Sequence, residues 1–331
     1  FYEDLKVKLD DTFKEINDSI EPELDLEVDT ISVSTERTQN SIDDSNHALK
    51  ALRKAAEEVK YIGPLRKLEN DEPKIDNFDL NIPMGLDGEY FFNFYQNVKN
   101  ELIKFDKSNL ISNPERYIAE NEQSFFPSEN QLTLELFTSL TIGDAFAQCL
   151  KEFEIADEFY TEYDATNHSV VGYIKPIGVD RHIRMKELGV GFSQLAPIIL
   201  LCLSSSPGTT ILLEQPELHL HPKVQQKFAD FIIEMMEYRG LQIILETHSD
   251  HMLNRIRRRI AEEKLEKDSS TLFENCSIYF AEREEGVTAF RKAELTKSGT
   301  YDLTDFPKGF FDQGAEDAFF ILKASLEDEN N

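Results

Sequence analysis

Residues 211–222 read ILLEQPELHLHP. Three aliphatic residues run into a carboxylate, Glu214, and the next position is an amide, Gln215. A short continuous aliphatic run closed by a turn-forming proline has the pattern of a strand buried on both faces. A second such run, LQIILET at 241–247, follows a segment of helical spacing (222–238). Continuous aliphatic strands alternating with helices predict an α/β fold with a largely parallel sheet flanked by helices. Functional groups on such sheets gather at the C-terminal ends of the strands, where Glu214 and His248 both fall.

Outward from this unit the pattern is less regular. Downstream, the spacing predicts a helix over 249–264 and strands CSIYFAE and VTAFRKAEL, then a Gly/Pro/Phe-rich tail, SGTYDLTDFPKGFFDQG. Phe306, Phe310 and Phe311 of that tail read as ordinary core, with a partner-docking surface as the alternative. Upstream, a short helix-like segment (194–204) is preceded by EFYTEYDATNHSVVGYIKPIG, whose alternation on both sides of DATNH predicts a β-hairpin. Helices are expected over 88–105 and 130–154, and helical spacing also marks 4–20 and 41–60. The second of these carries one apolar stripe of Ile42, Ala48, Leu49, Leu52 and Ala55. Between them 61–90 is punctuated by Pro and Gly and reads as irregular. The division expected is a mainly helical insertion region (1–155), a core (156–265) and a C-terminal strand pair with a short tail domain (266–331).

The totals bound the function classes. A chain of 331 residues with 40% apolar content can bury a sizeable core. Its 35 basic and 63 acidic residues give a formal charge of −28, a field that repels nucleic acid unless a local basic patch opposes it. The three cysteines, Cys149, Cys202 and Cys276, lack metal-ligand spacing and read as reduced thiols, the last two in apolar runs, in a cytoplasmic protein. The longest apolar stretch, LAPIILLCL at 195–203, is less than half the ~20 residues a membrane span needs, so no membrane partner is expected. The chain opens without an initiator Met and inside a segment of helical spacing, so a longer gene product is expected.

A strand that buries itself and projects one carboxylate at its tip suits a hard, oxygen-seeking cation such as the Mg²⁺ of a nucleotide site. Glu214 is that carboxylate and the candidate metal ligand. His248, in ETHSDH at the end of the next strand, can donate to a terminal phosphate. ELGVGFSQLAPIILL places Gly191, Ser193 and Gln194 at the start of an apolar helix, where free N–H groups can face an anion. Taken singly, each of these is more often a plain strand end or turn. Their order and spacing carry more: Gln194 to Glu214 is 20 positions and Glu214 to His248 is 34.

In that order the chain resembles the C-terminal part of an ABC-type ATPase head: signature, Walker B strand, D-loop and switch histidine. LLEQPELHLHP and ETHSDHMLNRIRRRI resemble the prokaryotic predicted ATPases related to the OLD, RecF and SMC heads. YIGPLR, GVGFSQLAPI and FPKGFF point to a subgroup with a short C-terminal domain of unknown function. The resemblance spans roughly 61–315. It implies that Glu214 holds the Walker B position and Gln215 that of the catalytic Glu. Glu217 lies two residues on, His221 falls in the D-loop, and His248 is the switch histidine. Gly191, Ser193 and Gln194 take the signature, which contacts the nucleotide of the opposite subunit, with a register ambiguity of one residue. The implied cofactors are ATP and Mg²⁺, and the implied assembly is a homodimer or higher homo-oligomer. The function it implies is a dimerising ATPase that gates an effector, a nuclease or toxin in trans, in antiphage defence or DNA repair. The alternative is a nucleotide-sensing scaffold with negligible hydrolysis.

The sequence departs from the pattern twice. None of its 14 glycines opens a G-K-[ST] step, so the phosphate-cradling loop is absent. Resembling proteins carry it near the N-terminus, and the chain as it stands is expected not to close an ATP site alone. Gln215 is neutral and cannot accept a proton, a loss of roughly 10²–10⁴-fold in general-base assistance. Either Glu217 substitutes or hydrolysis is slow. Two further groups are double-edged. His219 and His221 read as D-loop structure rather than a metal pair. Arg255, Arg257, Arg258 and Arg259 read as a solvated helix face, with a phosphate or DNA contact as the alternative.

Overall fold

The structure is a computed structural model, and it describes residues 59–66, 68, 84–105, 139–166, 169–185, 190–267, 270–284, 286–301, 320, 321 and 323. The expected helix over 4–20, most of that over 41–60, and the aromatic tail at 306–311 lie outside these residues. The parallel sheet is built on β5 (Thr210–Glu214), with β1 (Val59–Ile62) on one side and β6 (Gln242–Glu246) on the other. Both pairings are parallel, Ile62 opposite Leu213 and Glu214 opposite Glu246. The presence of β1 corrects the sequence expectation, which ran helical spacing through residue 60 and irregular chain from 61. Its four residues show no period of their own and earn strand geometry from the long-range ladder with β5.

Side chains alternate across this sheet. Ile62, Ile211 and Leu213 point to a common face and are fully or almost fully buried, whereas Ile244 on the other face is 55% exposed. The buried face packs on α3 (Val190–Ser204) and α4 (Pro222–Arg239). α3 is apolar around its whole circumference, with Leu195, Ala196, Ile198, Ile199 and Leu200 all fully buried, so it is a central helix rather than a surface one. It is longer than the segment expected. α4 begins at Pro222, whose missing N–H costs nothing in a first turn, and stops at Gly240 in the left-handed conformation (φ 62°).

A three-stranded antiparallel sheet joins the same core: β2 (Ala156–Asp164), β3 (Ser169–Pro176) and β4 (Ile183–Arg184). The expected hairpin is there, with Asp164 opposite Ser169 across the turn. Helices α1 (Phe91–Val98) and α2 (Ile142–Glu152) cover it. Their rings interlock with the strand, Tyr95 lying 4.9 Å and Phe146 5.2 Å from Phe159, both edge to face. α1 is shorter than the helix expected over 88–105. Beyond it the carbonyls of Lys99 and Glu101 accept from Gly143 and Ile142, so the chain leaves the helix to meet the start of α2.

The last part of the described chain is α5 (Asp250–Lys267), a one-turn α6 (Thr271–Asn275) and the hairpin β7 (Ile278–Glu284) to β8 (Val287–Ala293). Ile278, Phe280 and Ala293 pack with Leu253 of α5 in a small core of their own. Gly299 (φ 72°) lies so close to α5 that a Cβ there would sit 2.2 Å from the Arg257 carbonyl oxygen. The cysteines are free thiols, and burial pushes that of Cys202 up to about 12. Among the described residues no helix is long and apolar enough to cross a membrane.

Candidate functional site

Glu214 ends β5 with its carboxylate partly exposed, and Glu246 faces it in register from β6. In-register residues of parallel strands project to the same face, so two carboxylates share the rim. His248 follows two residues later, and its Nε2 lies 3.2 Å from a Glu246 oxygen with the ring 76% exposed. Glu214 and His248 therefore stand on one rim, at the C-terminal ends of adjacent strands. Glu246 escaped the sequence reading, although its strand ends in Ile-Leu-Glu as β5 ends in Leu-Leu-Glu.

Beyond Glu214 the backbone changes hand. Gln215 takes φ 42°, rare for a residue with a side chain. Its N–H donates to the Glu246 carbonyl at 3.0 Å, and its own carbonyl accepts from Leu218 at 3.2 Å. This turn bears on the two alternatives left open for Glu217. Rather than facing the rim as a spare base, Glu217 is 8% exposed and points inward, where Oε1 accepts the backbone N–H of His248 at 2.6 Å. Pro216 and the turn after Gln215 rotate it off the strand's register. Its carboxylate fixes where His248 begins.

Beneath the turn sits Arg66, 1% exposed. Its guanidinium donates to the carbonyls of Gly63 (2.6 Å), Glu214 (3.2 Å) and Gln215 (3.1 Å). Burial pulls this group down to about 10, while the nearby Glu217 carboxylate acts in the opposite direction. Nothing in YIGPLR taken by itself gives Arg66 a role. A buried arginine is recognised by the carbonyls it meets, and two of these three lie 148 and 149 residues away in the chain.

The signature segment opens α3. Gly191 and Ser193 lie in its first turn, and a Cβ on Gly191 would sit 3.6 Å from the His219 carbonyl, so the helix start and the D-loop are neighbours. Gln194 departs from the expectation of a nucleotide contact. It is 3% exposed and faces inward, its Nε2 donating to the Arg66 carbonyl at 2.9 Å. His221 is the N-cap of α4, its Nδ1 accepting from the Lys223 N–H at 3.3 Å. Among the described residues no group of three or more His, Cys, Asp or Glu could hold a metal ion, which leaves His219 and His221 without a third ligand.

Three of the four arginines in the run are held by partners elsewhere in the fold. Arg255 and Arg259 both bond Asp230 of α4, at 2.7 Å each, and Asp230 is buried. At Arg259 burial is the largest single influence and works against the charge, but the carboxylates of Asp230 and Glu262 together outweigh it and raise the guanidinium above its ordinary value. Arg257 donates to the Gly299 carbonyl at 2.7 Å and lies 4.2 Å over the Tyr301 ring. Arg258 pairs with Glu262. The solvated face expected over Arg255, Arg257, Arg258 and Arg259 therefore fits Arg258 alone, because Asp230 and Gly299, 25 or more residues away in the chain, claim the other three.

The AAA ATPase domain model matches residues 2–253. The chain belongs to the AAA ATPase domain family. The match takes in the first sixty residues, which the resemblance left unassigned. A second model, a protein family of unknown function (DUF3696), matches residues 273–319. No curated protein matches the chain. Among solved structures it is similar to an SMC ATPase described under ATP-driven dimerization and DNA-stimulated activation. That match is 16% identical and covers 43% of this chain and 77% of the other, with a TM-score of 0.31. It is also similar to the Smc head domain with a coiled coil and joint from Pyrococcus yayanosii, at 17% identity, 47% and 27% coverage and a TM-score of 0.34.

ATPase domains of this kind use ATP, usually with Mg²⁺. The AAA ATPase rim fits one end of that ligand. Glu214 and Glu246 present hard oxygens that would suit a water-shelled Mg²⁺, and the exposed His248 ring would suit a terminal phosphate. The fit does not extend to the phosphate chain, for which the sequence carries no G-x-x-x-x-G-K-[ST] cradle.

Proposed function

We propose that this AAA ATPase domain binds Mg²⁺–ATP at the Glu214–His248 rim, dimerises through the nucleotide, and hydrolyses it slowly. The observation that carries the reading is the placement of Glu214, Glu246 and His248 on one rim of a parallel sheet, with the His248 backbone fixed by Glu217. Glu214 orients the water shell of the metal. His248 donates to the terminal phosphate. When bound, Mg²⁺ neutralises charge that develops on the phosphoryl oxygens. Gln215 stands where a water would be oriented, and its carboxamide can hold that water but cannot take its proton. Glu217 is buried on a backbone amide and does not replace it. Turnover therefore lacks general-base assistance, typically ~10²–10⁴-fold.

In this reading Gly191 and Ser193, partly exposed in the first turn of α3, face the nucleotide of a second copy in a homodimer or higher homo-oligomer. Nucleotide-driven closure gates an effector, a nuclease or toxin in trans, in antiphage defence or DNA repair. The neutral Gln215 and inward Glu217 also favour a second reading, a nucleotide-sensing scaffold with negligible hydrolysis that holds a partner protein. Steady-state hydrolysis of Mg²⁺–ATP by the full-length protein separates the two. Gln215→Glu is expected to raise a slow but measurable rate under the first, and no rate in either form supports the second.

A further inference from the structure

We infer that Arg66 is a positioning residue that ties the base of α3 to the Glu214 rim, so that the two ends of the site move as one unit. For its catalytic consequence the inference rests on the function proposed above; the geometry stands independently. Glu214 and Gln215 flank the point where the backbone changes hand. Arg66 takes hold of both carbonyls, one through each terminal nitrogen, and anchors itself on Gly63 at the end of β1. A planar guanidinium can hold two successive carbonyls in a set spacing, which a lysine ammonium cannot. The second link runs the other way. The Arg66 carbonyl is gripped by Gln194, one turn into α3 from Gly191. The layer is not optimised for stability. Arg66 Nε, Gln194 Oε1 and Glu217 Oε2 are all buried and find no hydrogen-bond partner among the described residues. Apolar groups of the same shape would cost less there, so the polar layer is explained by the positions it fixes. A displacement at the first turn of α3, where a second copy's nucleotide is proposed to sit, thus reaches the backbone of Glu214 through two side chains.

The test uses Arg66→Lys, which keeps the charge and loses the fork, and Gln194→Met, which releases the other end, both in the full-length protein. Each is expected to lower kcat for Mg²⁺–ATP at least ~10-fold with KM within ~3-fold. The double variant is expected to fall no further than the worse single one. A KM raised as much as kcat is lowered, or a double effect equal to the product of the singles, overturns the inference. Amide exchange without nucleotide separates this outcome from failure of the proposed function. Both variants are expected to speed exchange in 213–220 at least ~10-fold and leave 222–239 unchanged. That pattern in a protein without ATP turnover upholds Arg66 as the tie while refuting the proposed function. Unchanged exchange at 213–220 overturns the inference whatever the turnover.

Discussion

Replacing Glu217 by Ala removes a buried carboxylate that accepts one backbone N–H at 2.6 Å and opposes the charge of Arg66. A hydrogen bond to a charged group contributes about 1.5–3 kcal/mol, and stranding a buried charge adds to that. Arg66 keeps its three carbonyl acceptors, so the added part is modest, and a total of about 2–4 kcal/mol is expected. Glu217→Gln keeps an oxygen for the His248 N–H and gives up only the charge, about 1 kcal/mol. In a domain of this size each kcal/mol lowers Tm by roughly 2–4 °C, so the order wild type, Gln, Ala spreads over about ten degrees. Thermal unfolding at neutral pH, checked by urea titration with unchanged m, reads this directly. Were Glu217 an exposed spare base, both variants would stay within ~0.5 kcal/mol of wild type, as surface substitutions do, and that result would refute the buried role.

Asp230→Ala removes the buried carboxylate that Arg255 and Arg259 share, while Arg259 keeps Glu262; it is expected to cost ~2–4 kcal/mol in urea unfolding, whereas Arg258→Ala stays within ~0.5 kcal/mol. Gly299→Ala forces a Cβ onto the Arg257 carbonyl at a positive φ. It is expected to loosen 278–301 from α5, seen as faster amide exchange in that segment with 210–246 unchanged. Glu154 is held down to about 2 by hydrogen bonds to Lys223 and then Lys227. A depressed carboxylate stabilises the fold above its unfolded value of 4.5, and that contribution is lost as pH falls from there toward about 2. Glu154→Gln should therefore flatten the acid limb of a Tm-against-pH curve in that window and little else.

What the sequence made legible was the part governed by local pattern. The aliphatic runs at 210–214 and 242–246, the helices between and after them, and the 156–176 hairpin each carry a period of their own. β1 does not, because Val59-Lys60-Tyr61-Ile62 is too short to show one and becomes a strand by pairing with β5. The rim was readable as two strand tips. The layer beneath it was not, since the inward turn of Glu217 depends on φ at Gln215, and Arg66 finds its carbonyls across nearly half the chain. The arginines of α5 misled for the same reason. Their partner, Asp230, belongs to another helix, and adjacent charges in sequence say nothing of it.

The central claim is that Glu214 orients a metal-bound nucleotide at this rim. Steady-state Mg²⁺–ATP turnover of full-length Glu214→Ala against wild type tests it most directly. The account predicts a slow wild-type rate that falls by at least ~100-fold in Glu214→Ala, because the charge stabilisation supplied through the oriented metal is lost. Turnover in Glu214→Ala within threefold of a measurable wild-type rate would contradict it.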